Sequence, residues 1–354
     1  MCNSASLRPQ PNSNEPADGS LKRLGMTERK DEVNQPAEPG TVKLYGVTWP
    51  WFVTQEALDA LKDYDVWDDD VWIVTYPKAG THWAMEIVNL ILVDGHEERI
   101  NRAQQSHPVE FDLSQPGRSV FKEPRPPQYK AMAQWTAPRV IMTHLTEELM
   151  PSQIYQGKGK VVYVIRNPKD TTVSNWNFVK PMKFDSRYEK WDYFVKLSFS
   201  EEMVFGSWFP HVLDFWTKHR YDKNFLFLKY EDMIKDKKRA VIQITDFLGK
   251  HLSDDAVDRV VELCSFQSMK ARFNLSQPSA KEAPPSVPPS DQESAPPDDQ
   301  AKPPADKGGL GAPSILRKGT VGDWKTMFTV AQNEELNALF REKMEGSGLT
   351  IEFE

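Results

Sequence analysis

The chain has 354 residues, of which 39% are hydrophobic and 11% aromatic, so it can bury one large core or two small ones. Its formal net charge of −7 argues against bulk nucleic-acid binding, which usually leaves a basic footprint on the surface. The two cysteines, Cys2 and Cys264, have no metal-ligand spacing and no disulfide pattern, which favours a reducing compartment.

The first segment, residues 1–40, is rich in polar residues and proline and lacks hydrophobic periodicity, which predicts a disordered extension. It contains no apolar signal-peptide region, and no stretch approaches the roughly 18 apolar residues of a membrane span, so we expect a cytoplasmic protein. We expect one folded domain at 41–354, interrupted by a Pro-rich insertion at 276–313. The Pro-Pro-Ser-Val-Pro-Pro core of this insertion, 284–289, could bind an SH3-type partner, but a solvated linker is the simpler interpretation.

Strand-like runs alternate with helical patterns in the domain. Strands are predicted at Val71–Tyr76, Val140–Thr143, Val161–Ile165 and Phe225–Lys229, and helices near 84–92, 171–178, 203–218 and 240–248. The alternation predicts an α/β domain with a central parallel sheet flanked by helices. Each strand leads directly to a polar residue; in order these are Lys78, His144, Arg166 and Tyr230. Ligands of open α/β sheets bind outside the carboxyl ends of the strands, so we expect these residues to face one crevice.

The loop between the first strand and its helix, Tyr76-Pro-Lys-Ala-Gly-Thr-His-Trp83, has the features of an anion site. The start of a helix offers unpaired N–H groups and the positive end of the helix dipole. Lys78 adds a positive charge, and Gly80 allows the backbone to approach a phosphate closely. No segment has the G-x-x-x-x-G-K-[ST] pattern of a Walker A loop, which argues against a nucleotide kinase.

Two further segments suit a phosphate. Arg166 follows the third strand and precedes a helix that contains Ser174, and a guanidinium group can bind phosphate through two parallel hydrogen bonds. Arg317 and Lys318, followed by Gly319, form a second plausible clamp. Taken singly, either segment could equally be a charged surface turn.

His144 is the best candidate for a general base, because the unperturbed pKa of histidine, about 6.5, suits proton abstraction near neutral pH. The other histidines show no metal-ligand spacing, and no G-x-S-x-G elbow occurs, so a metal site and a serine hydrolase are both disfavoured. Aromatic residues that could line an acceptor pocket, or simply fill the core, are Trp49, Trp51, Phe52, Trp176, Phe178, Phe205, Trp208 and Phe209.

Four motifs occur in order along the chain. They are the loop 76–83, Arg166-Asn-Pro-Lys-Asp with Ser174, Tyr230-Glu-Asp-Met233, and Arg317-Lys-Gly-Thr-Val-Gly-Asp-Trp-Lys325. Together they resemble the cytosolic sulfotransferases, from about Leu44 to the C-terminus. The resemblance implies a P-loop-like nucleotide-binding architecture and transfer of a sulfuryl group from 3′-phosphoadenosine 5′-phosphosulfate (PAPS). The acceptor would be a hydroxyl or amine of a small, apolar or aromatic molecule.

Carried onto this chain, the resemblance assigns roles to individual residues. The 5′-phosphosulfate would be held by Lys78, Ala79, Gly80, Thr81, His82 and Trp83, with Trp83 stacking on the adenine. The 3′-phosphate would be held by Arg166, Ser174, Arg317, Lys318 and Gly319, and the adenine side would include Tyr230, Ser265, Phe266 and Met269. His144 would be the catalytic base, with Lys78 and Ser174 assisting and no metal required. A short homodimer motif would comprise Lys325, Thr329, Val330 and Glu334, although a helix N-terminus also explains that segment.

The chain departs from the family pattern at four positions. Ala79 and His82 stand where the loop commonly has Ser and Thr, Cys264 replaces a Thr, and Met142 stands where many members have a Lys two residues before the catalytic His. These changes leave one alternative open, namely a non-catalytic protein that binds 3′-phosphoadenosine 5′-phosphate (PAP).

Overall fold

The computed structural model describes residues 40–104, 107–114, 125–182, 185–276 and 316–354. The predicted disordered extension therefore lies outside the described residues, apart from Gly40. The predicted Pro-rich insertion does so as well, apart from Ser276, which ends a helix.

The described residues form strands alternating with helices. The strands are β1 Thr41–Leu44, β2 Val47–Pro50, β3 Val71–Thr75, β4 Val140–Thr143, β5 Lys160–Ile165 and β6 Phe225–Lys229. The helices are α1 Gln55–Lys62, α2 Thr81–Leu92, α3 Gln128–Met132, α4 Pro168–Val179, α5 Trp191–Leu197, α6 Trp208–His219, α7 Tyr230–Lys235, α8 Lys237–Leu248, α9 Asp254–Leu263, α10 Phe266–Ser276 and α11 Val330–Met344. None of them is long and apolar enough to cross a membrane, within the ranges that the structure covers.

The central sheet is parallel, with the strand order β4-β3-β5-β6. β1 and β2 form a separate antiparallel hairpin. The chain runs from β3 to β4 on one side and then to β5 on the other, so the direction of winding reverses at β3. Ligands of such sheets bind at this reversal, outside the carboxyl ends of the strands. The loop that follows β3 therefore occupies the expected binding position.

Both faces of the sheet are buried, and successive residues of a strand enter different cores. Trp72 and Val74 pack in a first core with residues of α1, α6 and α11. Ile73 packs in a second core with residues of α2, α8 and α9. Because both faces of β3, β4 and β5 are covered, these strands are almost continuously apolar, which is the pattern that predicted a sheet covered on both sides.

The predicted α/β fold is confirmed, and the four predicted strands agree with the structure to within one residue. The helices expected near 84, 171 and 240 begin three residues earlier, at Thr81, Pro168 and Lys237. β4 and β6 have the predicted ends, whereas β3 ends one residue earlier at Thr75 and β5 begins one residue earlier at Lys160. The helix expected from Met203 begins only at Trp208. Phe205 and Gly206 have φ values of +68° and +74°, which a right-handed helix does not allow, so they form a turn instead.

Candidate functional site

The loop after β3 is a tight turn that ends at the start of α2. Lys78 has a φ of +68° and Gly80 a φ of +114°, and the N–H of Ala79 donates to the carbonyl of Tyr76 at 3.1 Å. A Cβ atom on Gly80 would lie 3.0 Å from Cδ2 of Tyr230, so a side chain at this position would press on that ring as well as strain the backbone. The first N–H groups of α2 have no partner within the helix, and Lys78 is next to them.

Arg166 connects this loop with the C-terminal part of the chain. Its Nη1 donates to the carbonyl of Lys78 at 3.1 Å, and its Nη2 donates to the carbonyl of Thr320 at 3.2 Å. The guanidinium carbon lies 4.3 Å from the centre of the Tyr230 ring. The four motifs, which are distant in sequence, thus meet at Arg166: one contains Arg166 itself, and the others contribute Lys78, Tyr230 and Thr320.

The positive charges of Lys78, Arg166 and Arg317 repel one another. Burial, and then the charges of Arg166 and Arg317, lower the pKa of Lys78 to about 7. The ammonium group of Lys78 lies 3.8 Å from the centre of the Phe178 ring. The buried Nε atoms of Arg166 and Arg317 have no hydrogen-bond partner among the described residues. Three mutually repelling cations with spare donors fit a ligand that carries several negative charges, as a phosphorylated nucleotide does.

The segment 317–324 is held in place by two aspartates. Arg317 donates from Nη2 to Asp323 at 2.5 Å, and Lys318 also forms an ion pair with Asp323. Asp170 accepts from the backbone N–H groups of Gly322 at 2.8 Å and Trp324 at 2.9 Å. Nothing in the local sequence pattern indicated that Asp170 would bind residues about 150 positions away.

The residues expected near an adenine lie together beside the same loop. Trp83 donates from Nε1 to the carbonyl of Cys264 at 3.0 Å, and its ring lies 5.3 Å from that of Tyr230. Gly319 packs on Phe266, because a Cβ atom at this position would lie only 2.4 Å from Cδ2 of that ring.

The remaining residues predicted for this region are also close in the chain to these contacts. Ser265 forms a hydrogen bond with Ser268 at 2.8 Å, and Met269 is buried in the second core. Ser174 is buried in the second turn of α4. The structure therefore brings residues of all four motifs together around Arg166, while the roles predicted for the individual residues stay predictions.

His144 follows β4 and is held in one tautomer by its hydrogen bond to β3. Its Nδ1 lies 2.8 Å from the carbonyl oxygen of Thr75. A carbonyl can only accept, so Nδ1 carries the hydrogen and Nε2 of the neutral ring keeps its lone pair. Burial lowers the pKa of His144 to about 4, with Lys78 acting in the same direction and the bond to Thr75 opposing them. The imidazole is therefore neutral at pH 7 and able to accept a proton at Nε2.

A cluster of aromatic rings begins beside His144. The Phe205 ring lies 5.4 Å from the imidazole, 5.5 Å from Trp49 and 6.5 Å from Phe111. Phe52 contacts Phe111 at 4.7 Å. Phe111 was not singled out from the sequence, although Val109, Phe111 and Leu113 alternate with polar residues as in a half-buried strand.

Other aromatic residues proposed for an acceptor pocket pack elsewhere. Trp208 is 1% exposed and donates to the carbonyl of Arg166 at 3.1 Å, so it supports the nucleotide side from beneath. Trp176 packs on Trp191 at 5.4 Å. Trp208 is therefore part of the first core, and Trp176 is partly buried at the edge of another cluster.

The four residues that depart from the family pattern all lie in buried environments. Ala79 is fully buried, and Met142 packs in the second core. Burial, followed by the charges of Lys78, His144 and His107, lowers the pKa of His82 to about 3, so this ring is neutral at pH 7. Burial raises the pKa of Cys264 to about 11, which keeps it a thiol.

The predicted dimer motif lies at the start of α11. Thr329 is the N-cap of this helix and forms a capping box with Gln332. Val330 is 75% exposed, which is unusual for a large apolar side chain. A metal site has no support in the described ranges, where no group of three or more His, Cys, Asp or Glu side chains could hold an ion.

Comparison with known proteins identifies the family. Residues 68–285 and 302–348 match the model of the sulfotransferase domain. Sulfotransferase 1A1 of Canis lupus familiaris is 36% identical over 298 residues, which cover 84% of this chain and 90% of the relative. Sulfotransferase 2A1 of Homo sapiens is 34% identical over 304 residues, which cover 84% and 93%.

Solved structures agree with this result. Mouse sulfotransferase SULT7A1 complexed with PAP matches with a TM-score of 0.64 at 31% identity, covering 87% of this chain and 96% of that one. Retinol dehydratase in complex with androsterone and PAP matches with a TM-score of 0.66 at 20% identity, which supports the fold alone. The resemblance predicted from the four motifs is confirmed: the chain belongs to the sulfotransferase family, as a divergent member.

Proposed function

We propose that this protein transfers a sulfuryl group from PAPS to a hydroxyl or amine of a small, apolar or aromatic acceptor, with His144 as the general base. Bound PAPS would supply an activated sulfuryl group and leave as PAP. The mouse relative was crystallised with PAP, which supports a nucleotide of this kind as the ligand of the present chain.

The cation cluster supports this choice of donor. Lys78 and the first residues of α2 would hold the 5′ side of the nucleotide, through a positive charge and backbone N–H groups. Arg166 and Arg317 would hold the 3′-phosphate, because each has a buried Nε donor that no described residue satisfies. Ser174, Lys318 and Gly319 would complete this second anion site, and Trp83, Tyr230, Ser265, Phe266 and Met269 would form its adenine side.

A negatively charged donor would also raise the pKa values of Lys78 and His144. Lys78 has a pKa of about 7 because it is buried and faces two arginines, and an anion beside it raises that pKa and restores the full positive charge. The pKa of His144 is lowered to about 4 by burial and by the charge of Lys78, and a nearby anion raises this pKa toward about 7. Such a base matches the pH at which it must accept a proton.

The observation that carries the proposal is the hydrogen bond between Nδ1 of His144 and the carbonyl of Thr75, at 2.8 Å. It leaves Nε2 as the nitrogen that can take the proton from an attacking hydroxyl or amine. Lys78 would stabilise the negative charge that develops on the departing oxygen, as positioned cations do in related group transfers.

The Phe205 ring beside His144 supports a flat, apolar acceptor, and it continues into an aromatic cluster with Phe111 and Phe52. The exposed Val330 at the start of α11 supports a contact between two copies through Lys325, Thr329, Val330 and Glu334. Homodimer formation and a cytoplasmic location remain predictions.

The test is His144→Ala, assayed with labelled PAPS and a panel of phenols, sterols, bile-acid-like alcohols and amines. Loss of a positioned base costs about 10²–10⁴ in rate, or roughly 3–5 kcal/mol of transition-state stabilisation, so turnover should almost vanish. The affinity for PAP, measured by calorimetry, should change less than about 2-fold, because the nucleotide is held by other residues. His96→Ala, which alters a surface histidine paired with Glu98, is the control and should keep normal turnover.

Near-normal turnover of His144→Ala would refute the role of the base. Wild-type protein that binds PAP but transfers no sulfuryl group to any acceptor would instead favour the non-catalytic alternative. Magnesium-independent turnover would separate the enzyme from a nucleotide kinase.

A further inference from the structure

Glu110 is a buried carboxyl group whose two oxygens bind consecutive residues at the end of β4. The side chain is 0% exposed. Its Oε1 accepts from the backbone N–H of His144 at 2.9 Å, and its Oε2 accepts from the hydroxyl of Thr143 at 2.8 Å. The Thr143 hydroxyl oxygen also accepts from the N–H of Leu145 at 3.0 Å, so one network holds the backbone on both sides of His144.

The backbone around Glu110 is itself fixed. The N–H of Val109 donates to the carbonyl of Met142 at 3.0 Å, and the N–H of Asp112 donates to the carbonyl of Phe52 at 2.8 Å. The carboxyl group is therefore held at a constant position relative to β4. It does not act as a loose surface contact.

This arrangement is energetically unfavourable for a carboxylate. Burial raises the pKa of Glu110 to about 7, and the bonds from its own backbone, His144 and Thr143 only partly offset that effect. The partners of its side chain are neutral donors, whereas a buried carboxylate usually requires a cation for compensation. Groups kept in such surroundings are concentrated at functional sites.

We propose that Glu110 is a positioning residue for His144 in the transfer reaction. The bond from Nδ1 to Thr75 fixes the rotation of the imidazole, and the carboxylate of Glu110 fixes the peptide that carries it. Nε2 then keeps one orientation toward the acceptor. The inference rests on the proposed function, in which His144 is the base. A misplacement of about 1 Å between reacting groups can cost on the order of 10²-fold in rate, so this support has a measurable effect.

The first test is Glu110→Gln, which keeps the size of the side chain and removes its charge. The amide oxygen of glutamine can still accept from His144, but its NH₂ group cannot accept from the Thr143 hydroxyl. We expect kcat at saturating PAPS and acceptor to fall about 10-fold, with the dissociation constant of PAP within about 2-fold of the wild-type value. Unchanged kcat, or an equal loss of turnover and of PAP affinity, would overturn the proposal.

Folding of this variant is not expected to be the problem. The pKa of Glu110 is raised in the folded protein, so its carboxylate form destabilises the fold as pH rises through about 7. Glutamine removes that effect, and the melting temperature at pH 8 should therefore stay equal or rise. Thr143→Val, which removes the partner of Oε2, is a second variant and should lower kcat in the same way.

Two comparisons separate positioning from a general structural role. In a His144→Ala background, Glu110→Gln should cause no further loss, because Glu110 acts through His144, and a second 10-fold loss there would contradict the inference. Glu231→Gln is the matched control, since Glu231 is also a buried carboxyl and accepts from the N–H of Asn167 at 2.9 Å on the nucleotide side. It should weaken PAP binding more than it lowers kcat, and the opposite result would count against the proposal.

Failure of the proposed function is recognised separately. If His144→Ala keeps near-normal turnover, His144 is not the general base, and this result refutes the proposed function in a protein whose Glu110 is unchanged.

Discussion

Replacing Gly319 by alanine introduces a methyl group at a position that the ring of Phe266 already occupies. Gly319 has a φ of +68°, and an added Cβ would lie 2.4 Å from Cδ2, 2.9 Å from Cγ and 3.0 Å from Cε2 of Phe266. These three atoms belong to one rigid ring on the predicted adenine side. Either the ring or the segment 317–324 must move, and both are expected to contact the nucleotide.

The size of the effect can be worked out from two contributions. A left-handed backbone costs alanine about 1–2 kcal/mol relative to glycine. Displacing a packed ring adds about 1–3 kcal/mol, so we expect Gly319→Ala to lower the free energy of unfolding by roughly 2–5 kcal/mol. Gly322 provides a matched control, because its φ is +83° and an added Cβ would meet nothing within 4 Å. Gly322→Ala should therefore cost only the backbone contribution of about 1–2 kcal/mol.

Urea unfolding and calorimetric titration with PAP measure the two consequences. Gly319→Ala should weaken PAP binding about 10-fold or more, which corresponds to roughly 1.4 kcal/mol, and Gly322→Ala should change it less than about 3-fold. Equal losses in the two variants, in stability or in affinity, would show that the contact with Phe266 does not determine the outcome.

Three other predictions concern charge. First, because the pKa of Lys78 is lowered to about 7, this group is mostly neutral at pH 8. On binding of PAPS or PAP, Lys78 should take up about one proton at pH 8 and almost none at pH 6, and this contribution should be absent from Lys78→Met. Calorimetry in buffers of different ionisation enthalpy measures this, and an equal proton uptake in Lys78→Met would contradict the assignment. Second, Arg317→Ala should weaken PAP binding about 10–100-fold, or roughly 1.5–3 kcal/mol, and leave adenosine 5′-phosphate, which lacks the 3′-phosphate, almost unaffected. Equal effects on the two nucleotides by calorimetry would argue against a 3′-phosphate contact. Third, Nε of Arg139 donates to the buried carboxylate of Asp70 at 2.7 Å, so Arg139→Met leaves Asp70 without this partner. The variant should destabilise the fold by about 3–5 kcal/mol, while kcat of the folded enzyme stays normal. Chemical unfolding and turnover at low temperature check this, and unchanged stability would count against the pair.

Much of the fold was predictable because its signals are local. The apolar runs of β3 and β5 indicate strands buried on both faces, and Pro168 after Asn167 marks the start of α4. The helix expected from Met203 was the main error, since its apolar spacing continues through Phe205 although the backbone turns there. Periodicity reports which side chains are buried and does not report the sign of φ.

The candidate site was predictable only in part. Lys78, His144, Arg166 and Tyr230 follow strand ends, so their convergence could be expected from the rule for parallel sheets. Glu110 and Phe111 could not be found in this way, because they do not follow a strand of the parallel sheet and meet Thr143, His144 and Phe205 only through long-range contacts.

The sequence alone determined the strands of the central sheet, the position of the loop that carries Lys78 and the set of motifs that identify the family, because each depends on residues close together in the chain. Only the tertiary structure decided the protonation state and orientation of the site. The pKa of Lys78 is lowered by burial and by two arginines that lie far away in sequence. The free nitrogen of His144 is determined by a carbonyl of β3, and its peptide is held by Glu110. Electrostatic and hydrogen-bond effects of this kind depend on distances between segments, which a linear pattern does not contain.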